Sequence, residues 1–165
     1  MLFARALAAR SLDGEMTVES AGTSARGQQV PAELLEILDE RGVDLSSHRG
    51  RELGASMLLQ ADLVIALDQS QVRAVVALDP LVWAKTFRIG EFVARGRLTS
   101  RREADQGVRS WIDQVHRGRS STELQATTAG DDISDPIGGS RARYVAMVDE
   151  VAGLVNEMVD LLYPA

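Results

Sequence analysis

The sequence predicts an α/β fold, in which a parallel sheet is flanked by helices on both faces. Short apolar runs alternate along the chain with longer segments whose apolar residues recur every three or four positions, and this alternation is typical of α/β proteins. The run Leu63–Leu67 is apolar throughout, as expected for a strand buried on both faces of a parallel sheet. Right-handed crossovers between such strands would place helices on either side of the sheet.

The length and composition fit one globular domain, residues 1–165. The apolar fraction is 45% and the charged fraction is 25%, both ordinary for a globular protein. No apolar run approaches the roughly 20 residues of a membrane span. The opening residues carry Arg5 and Arg10 and lack the apolar core of a signal peptide. We therefore expect a cytoplasmic protein without a membrane partner.

The sequence contains no cysteine and only two histidines, His48 and His116. This composition excludes disulfides, thiolate metal sites and a cysteine nucleophile within residues 1–165. It also disfavours a histidine-rich metal site. The net charge of −6 disfavours a general nucleic-acid-binding protein.

The segment from Arg95 to Arg119, here called the basic segment, differs in charge from the rest of the chain. It holds seven arginines and three acidic residues, a net charge of +4, so the remainder must carry −10 to give the total of −6. A solvated basic helix, with His116 facing solvent, is the simpler interpretation. A docking surface for an acidic protein partner is the alternative.

The first predicted elements are two helices separated by a strand. Apolar residues at helical spacing predict a helix over Met1–Arg10, although no residue ahead of it could cap its first amide groups. The run Thr17–Ser20 predicts a short strand. Pro31 then opens a helix, which Gly42 ends in the usual C-terminal position.

The middle of the chain alternates strand, helix and strand. Leu63–Leu67 is the buried strand described above. Gln69–Asp79 predicts a helix, and Pro80 stops it. Thr86–Ile89 predicts a further short strand.

The last third of the chain is predicted to contain two helices. Residues 99–117 predict a weakly amphipathic helix, and Ser120–Gly130, rich in Ser, Thr and Gly, predicts a loop. A long amphipathic helix follows, with Ser140 as its N-cap. Its apolar residues repeat at steps of four and three: Tyr144, Val148, Val151, Val155, Val159 and Leu162.

Four segments carry a family resemblance through their order and spacing. They are Val18–Thr23, Arg41–Leu45 with His48–Arg49, Ala61–Asp68, and Asp135–Pro136. Together they resemble the low-molecular-weight protein tyrosine phosphatases and their bacterial relatives. Gly90–Phe92 and the last helix also fit, so the resemblance covers roughly residues 17–93 and 131–162.

The resemblance implies a phosphatase that needs no metal or other cofactor. In the family, a loop of a cysteine, five residues and an arginine lies between the first strand and the first helix. The cysteine attacks phosphorus, while the loop amides, the arginine and the helix N-terminus hold the phosphate oxygens. The implied substrates are phosphotyrosine proteins or small phosphomonoesters.

This chain departs from the family at that loop. Met1 matches the methionine that commonly follows the loop, and Leu2–Arg10 match the helix, so the strand and loop would precede Met1. Residues 1–165 alone are therefore expected to be inactive. By resemblance, the absent strand would lie between Thr17–Ser20 and Leu63–Leu67, which would then face a gap with unpaired main-chain groups. We therefore expect no cleanly folded monomer of this chain unless the sheet closes up or a partner supplies a strand.

Asp135 resembles the general acid of the family, which protonates the leaving oxygen and later activates water. An ordinary turn aspartate is the alternative, because Asp-Pro is a common turn dipeptide. Asp131 and Asp132 are rivals, but neither precedes a proline. Ser20 resembles a residue that supports the phosphate loop by hydrogen bonding; alternatively, its hydroxyl satisfies a turn at a strand end.

Ile137 and Gly138 occupy positions where family members often carry aromatic side chains that flank a phenyl ring. Their presence weakens the expected preference for phosphotyrosine. It also motivates a second hypothesis, a catalytically dead relative that acts as a binding or regulatory module. A metal-dependent phosphatase built on Asp131, Asp132 and Asp135 has weaker support, because carboxylates alone at this spacing are common.

Overall fold

A computed structural model describes residues 16–23, 30–45, 48–125 and 129–164. The helix predicted over Met1–Arg10 lies outside these ranges. The chain divides into two compact units, one of residues 1–53 and 134–156 and the other of residues 54–133 and 157–165. The single domain expected from the length stays a prediction.

Six α-helices, two β-strands and a longer 3-10 helix carry the fold of the described residues. In chain order they are α1 (Ala32–Glu40), α2 (Ala55–Gln60), β1 (Val64–Ala66), α3 (Gln69–Leu78), the 3-10 helix Pro80–Lys85, β2 (Thr86–Arg88), α4 (Ile89–Leu98) and α5 (Val108–His116), followed by the short 3-10 turns Ser121–Gln125 and Ala129–Asp131 and finally α6 (Arg141–Leu162). None of the described helices is both long and apolar enough to cross a membrane.

In the first unit, α1 follows Pro31 and ends at Gly42, as the sequence predicts. Gly42 has a φ of 70°, which a side chain would strain. The Gly42 amide donates to the Asp39 carbonyl at 2.7 Å, and the Val43 amide donates to the Leu38 carbonyl at 2.8 Å. This pair of bonds is a Schellman motif, and it satisfies carbonyls that the helix end would otherwise leave unpaired.

The core of the first unit joins α1 to the beginning of α6. Ile37, Leu38 and Val43 form one buried cluster with Tyr144 and Val148. The apolar repeat predicted for the last helix is thus confirmed where it meets α1.

The strand predicted over Thr17–Ser20 is wrong for the described residues. These four residues are exposed and form no ladder. The nearby pairing is a single parallel bridge between Gly22 and Glu52, with the Leu53 amide donating to the Gly22 carbonyl at 3.0 Å. A strand needs a neighbour along its length, and local sequence does not reveal whether it has one.

The second unit contains the parallel sheet. Its two strands pair in the register Val64↔Thr86, Ile65↔Phe87 and Ala66↔Arg88. Both strand predictions are confirmed, although each strand is shorter than predicted. β2 is buried at all three positions, whereas β1 is fully buried only at Ala66. The expectation that this strand is buried on both faces is therefore only partly met.

The helix α3 confirms its predicted position and stop. The Asp68 carboxylate accepts the Gln71 amide at 2.9 Å and caps the start of the helix. The helix buries Val72 and Val75, and Pro80 begins the next 3-10 helix. The stop signal of Pro80 was therefore sufficient, whereas the Asp68 cap is a finding of the structure.

The helix predicted over residues 99–117 is shorter and more strongly amphipathic than expected. It begins only at Val108, and it buries Trp111, Ile112 and Val115. Ahead of it, the stretch from Thr99 to Gly107 contains no apolar residue larger than alanine. Because these residues add no apolar side chain to the helix, the predicted range of 99–117 was too long and its amphipathic character was underestimated.

Candidate functional site

Asp135 lies exposed in a tight turn of the first unit. Its Oδ1 accepts the Ile137 amide at 2.9 Å, and the Pro136 carbonyl accepts the Gly139 amide at 2.7 Å. Gly138 takes a φ of 75°, which favours glycine at this point of the turn. The Asp-Pro dipeptide thus lies in a turn, and the role of Asp135 as general acid stays a prediction.

The side chain of Ile137 projects into solvent from the same turn. Its side chain is 74% exposed. A Cβ added at Gly139 would lie 2.9 Å from the Pro136 carbonyl oxygen, so the turn has no room for a larger residue there. The turn thus presents one aliphatic side chain beside the Asp135 carboxylate.

Ser20 is exposed, and its main-chain carbonyl accepts a hydrogen bond from Arg51 Nε at 2.8 Å. Arg51 in turn lies 3.4 Å from the Glu19 carboxylate. Within the described ranges no hydrogen bond joins Ser20 to Asp135. The structure therefore does not assemble the two predicted residues into one site, and the supporting role of Ser20 stays a prediction.

Asp131 and Asp132, the rivals of Asp135, are engaged by a buried arginine. Arg88 lies 3.0 Å from Asp131 Oδ2 and 2.9 Å from Asp132 Oδ1. In the described part of the chain, no three acidic, histidine or cysteine side chains gather as metal ligands. The metal-dependent alternative thus has no cluster to support it there.

Sequence reasoning missed Arg88. A signal was available, because an arginine directly after Thr86 and Phe87 in a short strand needs a carboxylate partner if it is buried. The partners are distant in sequence, which is why the pairing was not apparent.

Arg119 shows that the basic segment is not simply a solvated helix. Its side chain is fully buried, with Nε 2.6 Å from Glu91 Oε1, close enough for an ion pair although the N–H does not point at the oxygen. The guanidinium lies 3.7 Å from the Trp83 ring centroid and 4.0 Å from that of Phe87. Burial lowers the pKa of Arg119, and Glu91 opposes this shift.

Other arginines of the basic segment also bind internal groups. Arg95 donates to the carbonyls of Val115 and Arg117 at 2.9 and 2.7 Å, and Arg102 donates to the Gln106 carbonyl at 2.6 Å. These bonds stabilise the chain segments at both ends of α5. The interpretation of the segment as a solvated basic helix is therefore only partly right: Arg119 is buried and Arg95 and Arg102 are half-buried, whereas Arg97, Arg101, Arg109 and Arg117 are exposed.

His116 is half-buried rather than solvated. Its ring stands edge-on to Trp83 at 6.1 Å between centroids, and its Nδ1 lies 3.3 Å from Arg119 Nη1. Arginine can only donate, so Nδ1 is the acceptor and the proton of the neutral ring is on Nε2. Burial lowers the pKa of His116, and Arg119 and Arg95 lower it further.

A cavity of about 450 Å³ lies within the second unit, with Gln69, Trp83, Arg95 and Glu123 in its walls. Arg88, Glu91 and Asp131 also line it, but these groups are already engaged in the ion pairs described above. The charged groups in the walls of the cavity therefore bind one another and stabilise the fold, and they provide no evidence for a ligand site.

Comparison with known proteins agrees with the resemblance seen in the sequence. The family model of the low molecular weight phosphotyrosine protein phosphatases matches residues 1–105. The chain is 31% identical over 124 residues to the probable low molecular weight protein-tyrosine-phosphatase EpsP of Ralstonia nicotianae, covering 68% of this chain and 85% of that protein. It is 34% identical over 79 residues to the phosphatase Ptp of Acinetobacter johnsonii, covering 47% and 56%.

The fold is similar to those of solved phosphatases. The low molecular weight protein tyrosine phosphatase from T. tengcongensis matches with a TM-score of 0.69 and 27% identity, over 96% of this chain and 85% of that one. A YwlE mutant from Bacillus subtilis matches with a TM-score of 0.68 and 23% identity, over 98% and 85%. These neighbours confirm the predicted α/β fold with a parallel sheet and flanking helices.

The family model spans well over half of the chain, and the Ralstonia relative is matched over most of its length. This chain therefore belongs to the low-molecular-weight protein tyrosine phosphatase family.

Proposed function

We propose that this chain belongs to a phosphomonoesterase that uses the chemistry of its family, with Asp135 as the general acid. The reaction needs a cysteine loop, and residues 1–165 contain no cysteine. The proposal therefore concerns a protein in which that loop precedes these residues, acting in the cytoplasm without a metal. Family membership together with the exposed Asp135–Pro136 turn supports it most directly.

In the proposed reaction, a cysteine thiolate forms a bond to phosphorus as the bond from phosphorus to the ester oxygen breaks. Asp135 gives its proton to that oxygen, so the alcohol leaves neutral. The carboxylate then takes a proton from the water that hydrolyses the cysteinyl-phosphate, which releases phosphate and the thiolate. Because Oδ1 already accepts the Ile137 amide, Oδ2 is the oxygen suited to carry the proton.

The proposed substrates are phosphomonoesters, phosphotyrosine included. The exposed Ile137 beside Asp135 is aliphatic, so it cannot stack on a phenyl ring as an aromatic side chain does. We therefore propose a weak discrimination between aryl and alkyl phosphates.

The first test is the intact mass of the protein from its native cell. A mass above 17.9 kDa by roughly 14 residues would correspond to a strand of about 5–6 residues and an eight-residue loop. That protein should hydrolyse p-nitrophenyl phosphate. Asp135→Asn should lower kcat/KM by about 100-fold or more, whereas Asp39→Asn, at another exposed aspartate of the first unit, should not.

Residues 1–165 alone should show no turnover. Loss of one member of a cooperating catalytic unit can cost on the order of a million-fold, and here the nucleophile is absent. Hydrolysis of p-nitrophenyl phosphate well above buffer by this chain, abolished in the Asp135→Asn variant, would contradict the proposed mechanism.

A catalytically dead binding module is the second candidate, and the lack of cysteine in residues 1–165 favours it. A native mass of 17.9 kDa would decide for it. An acidic protein partner at the basic segment belongs to this candidate. It has less structural support, because Arg95, Arg102 and Arg119 are turned towards internal groups.

A further inference from the structure

Arg143 is an exposed arginine in the first turn of α6, the helix that follows the Asp135 turn. The other arginine of this first turn, Arg141, is bound to Glu40, with Nη2 2.7 Å from the Glu40 carboxylate. The guanidinium of Arg143 has neither an ion pair nor a hydrogen bond with the residues that the structure describes. Its charge is therefore available to a ligand.

The sequence explains why Arg143 has no partner on its own helix. Side chains three and four positions apart meet on a helix surface. The residues at these spacings from Arg143 are all uncharged: Gly139, Ser140, Ala146 and Met147. The first turn of α6 contains no acidic residue, although acidic side chains are the ones that a helix N-terminus favours. The stability of α6 therefore does not account for an arginine at this position.

The aliphatic part of Arg143 packs on the turn that carries Asp135. A Cβ added at Gly139 would lie 2.8 Å from Arg143 Cδ and 2.9 Å from the Pro136 carbonyl oxygen. The methylene next to the guanidinium thus occupies space that a side chain at Gly139 would need. Pro136 directly follows Asp135, whose carboxylate accepts the Ile137 amide. Arg143 and Asp135 therefore belong to one packed turn, all of it in the first unit.

We propose that Arg143 is a specificity-determining residue that selects substrates with an acidic side chain next to the phosphorylated residue. This inference rests on the proposed function, because Asp135 can protonate the leaving oxygen only within hydrogen-bond distance of its carboxylate. The part of the substrate that is attached to that oxygen then lies beside the turn, within reach of the Arg143 guanidinium. The N-terminal end of the α6 dipole is also positive, so a glutamate of the substrate is attracted and a lysine is repelled.

The size of the effect follows from the exposure of Arg143. An exposed ion pair is weakened by water and salt, and one such pair favours binding by about two- to fivefold. A lysine in the same place suffers a repulsion of similar size. A substrate with glutamate should therefore react about fourfold or more faster than one with lysine. Added salt should reduce this difference, since the screening length is only about 3 Å at 1 M.

The test uses the protein from its native cell, with each substitution made in its own gene. The substrates are two phosphotyrosine peptides that differ only in the residues on either side of the phosphotyrosine, which are glutamate in one peptide and lysine in the other. The measured quantity is kcat/KM for the glutamate peptide divided by kcat/KM for the lysine peptide. We expect a ratio of about four or more for the unaltered protein.

The variants separate the charge of Arg143 from other effects. Arg143→Lys should preserve most of the ratio, Arg143→Gln should lower it about fourfold or more, and Arg143→Glu should lower it further. Arg101→Glu is the matched control, because it changes the net charge by the same amount at another exposed arginine. It should leave the ratio unchanged.

The possible failures are distinguishable. If the unaltered protein hydrolyses neither peptide, or Asp135→Asn leaves both rates unchanged, the proposed function is wrong and the role of Arg143 with it. If Asp135→Asn lowers both rates, the proposed function stands. The specificity role is then wrong if the ratio is not above one, if Arg143→Gln leaves it unchanged, or if Arg101→Glu lowers it as much as Arg143→Glu. Should Arg143→Glu not fold, the comparison of Arg143→Gln with Arg143→Lys decides.

Discussion

Arg119 is a buried charge whose partners lie far from it in the sequence. Its charge is removed from water between the rings of Trp83 and Phe87 and lies against Glu91. A buried pair of this kind does not by itself stabilise a protein, because the desolvation of both charges offsets their attraction. Removing one partner is different, since it leaves the other charge buried alone.

We expect Arg119→Met to destabilise the protein by about 3–5 kcal/mol, because Glu91 loses its partner. The double variant Arg119→Met, Glu91→Leu should recover much of this loss, since neither charge then remains. Urea unfolding of the two variants measures both effects. Arg109→Gln is the control and should cost less than about 1 kcal/mol, because the pair of Arg109 with Asp62 is exposed. Equal losses in the single and double variants would show that ring packing, rather than charge, dominates.

At the scale of single elements, the end of α1 shows how one glycine fixes the direction of the chain. Gly42 in the left-handed region lets Val43 return to bond Leu38 and to enter the same apolar cluster. The sequence predicted this end correctly, because the signal is local. Gly153 differs, since it lies within α6, and a Cβ there would meet nothing within 4 Å.

Substitution by alanine should therefore change the free energy of unfolding in opposite directions at the two glycines. Gly42→Ala should destabilise by about 1–2 kcal/mol, the cost of a left-handed conformation with a side chain. Gly153→Ala should stabilise by about 0.5–1 kcal/mol, because alanine favours the helix interior. Thermal unfolding of both variants measures these two changes in stability. A stabilising Gly42→Ala would contradict the Schellman geometry at the end of α1.

Across the whole molecule, the sequence predicted the structural features that are determined by residues close together along the chain. The stop of α3 at Pro80, the apolar repeat of α6 and the end of α1 at Gly42 all have local signals. The ion pairs of Arg88 and Arg119 have no local signal, since Asp132 lies 44 positions from Arg88 and Glu91 lies 28 positions from Arg119. For the same reason Thr17–Ser20 was wrongly predicted as a strand. Asp135 could be named as a candidate from its Asp-Pro motif, whereas no cysteine is among residues 1–165.

The stability of the whole protein should depend on pH through His116. Burial, together with Arg119 and Arg95, lowers the pKa of this histidine in the folded state from the usual 6.5, while Asp113 and Glu91 oppose the shift. Between the lowered pKa and 6.5, the unfolded chain binds more protons than the folded one. The free energy of unfolding must then decrease as the pH falls through this window and increase as it rises.

Urea unfolding between pH 7.5 and the onset of carboxylate titration, near about pH 5, measures this dependence. Above about pH 6.5 the contribution of His116 should be fully present, because the ring is neutral in both states. His116→Gln should flatten the profile within the window, as glutamine has no proton to gain. His48→Gln leaves the cluster around Arg119 intact and should preserve the slope. A slope that survives His116→Gln would show that protonation of another group, and not the loss of the Nδ1 bond to Arg119, weakens the fold at lower pH.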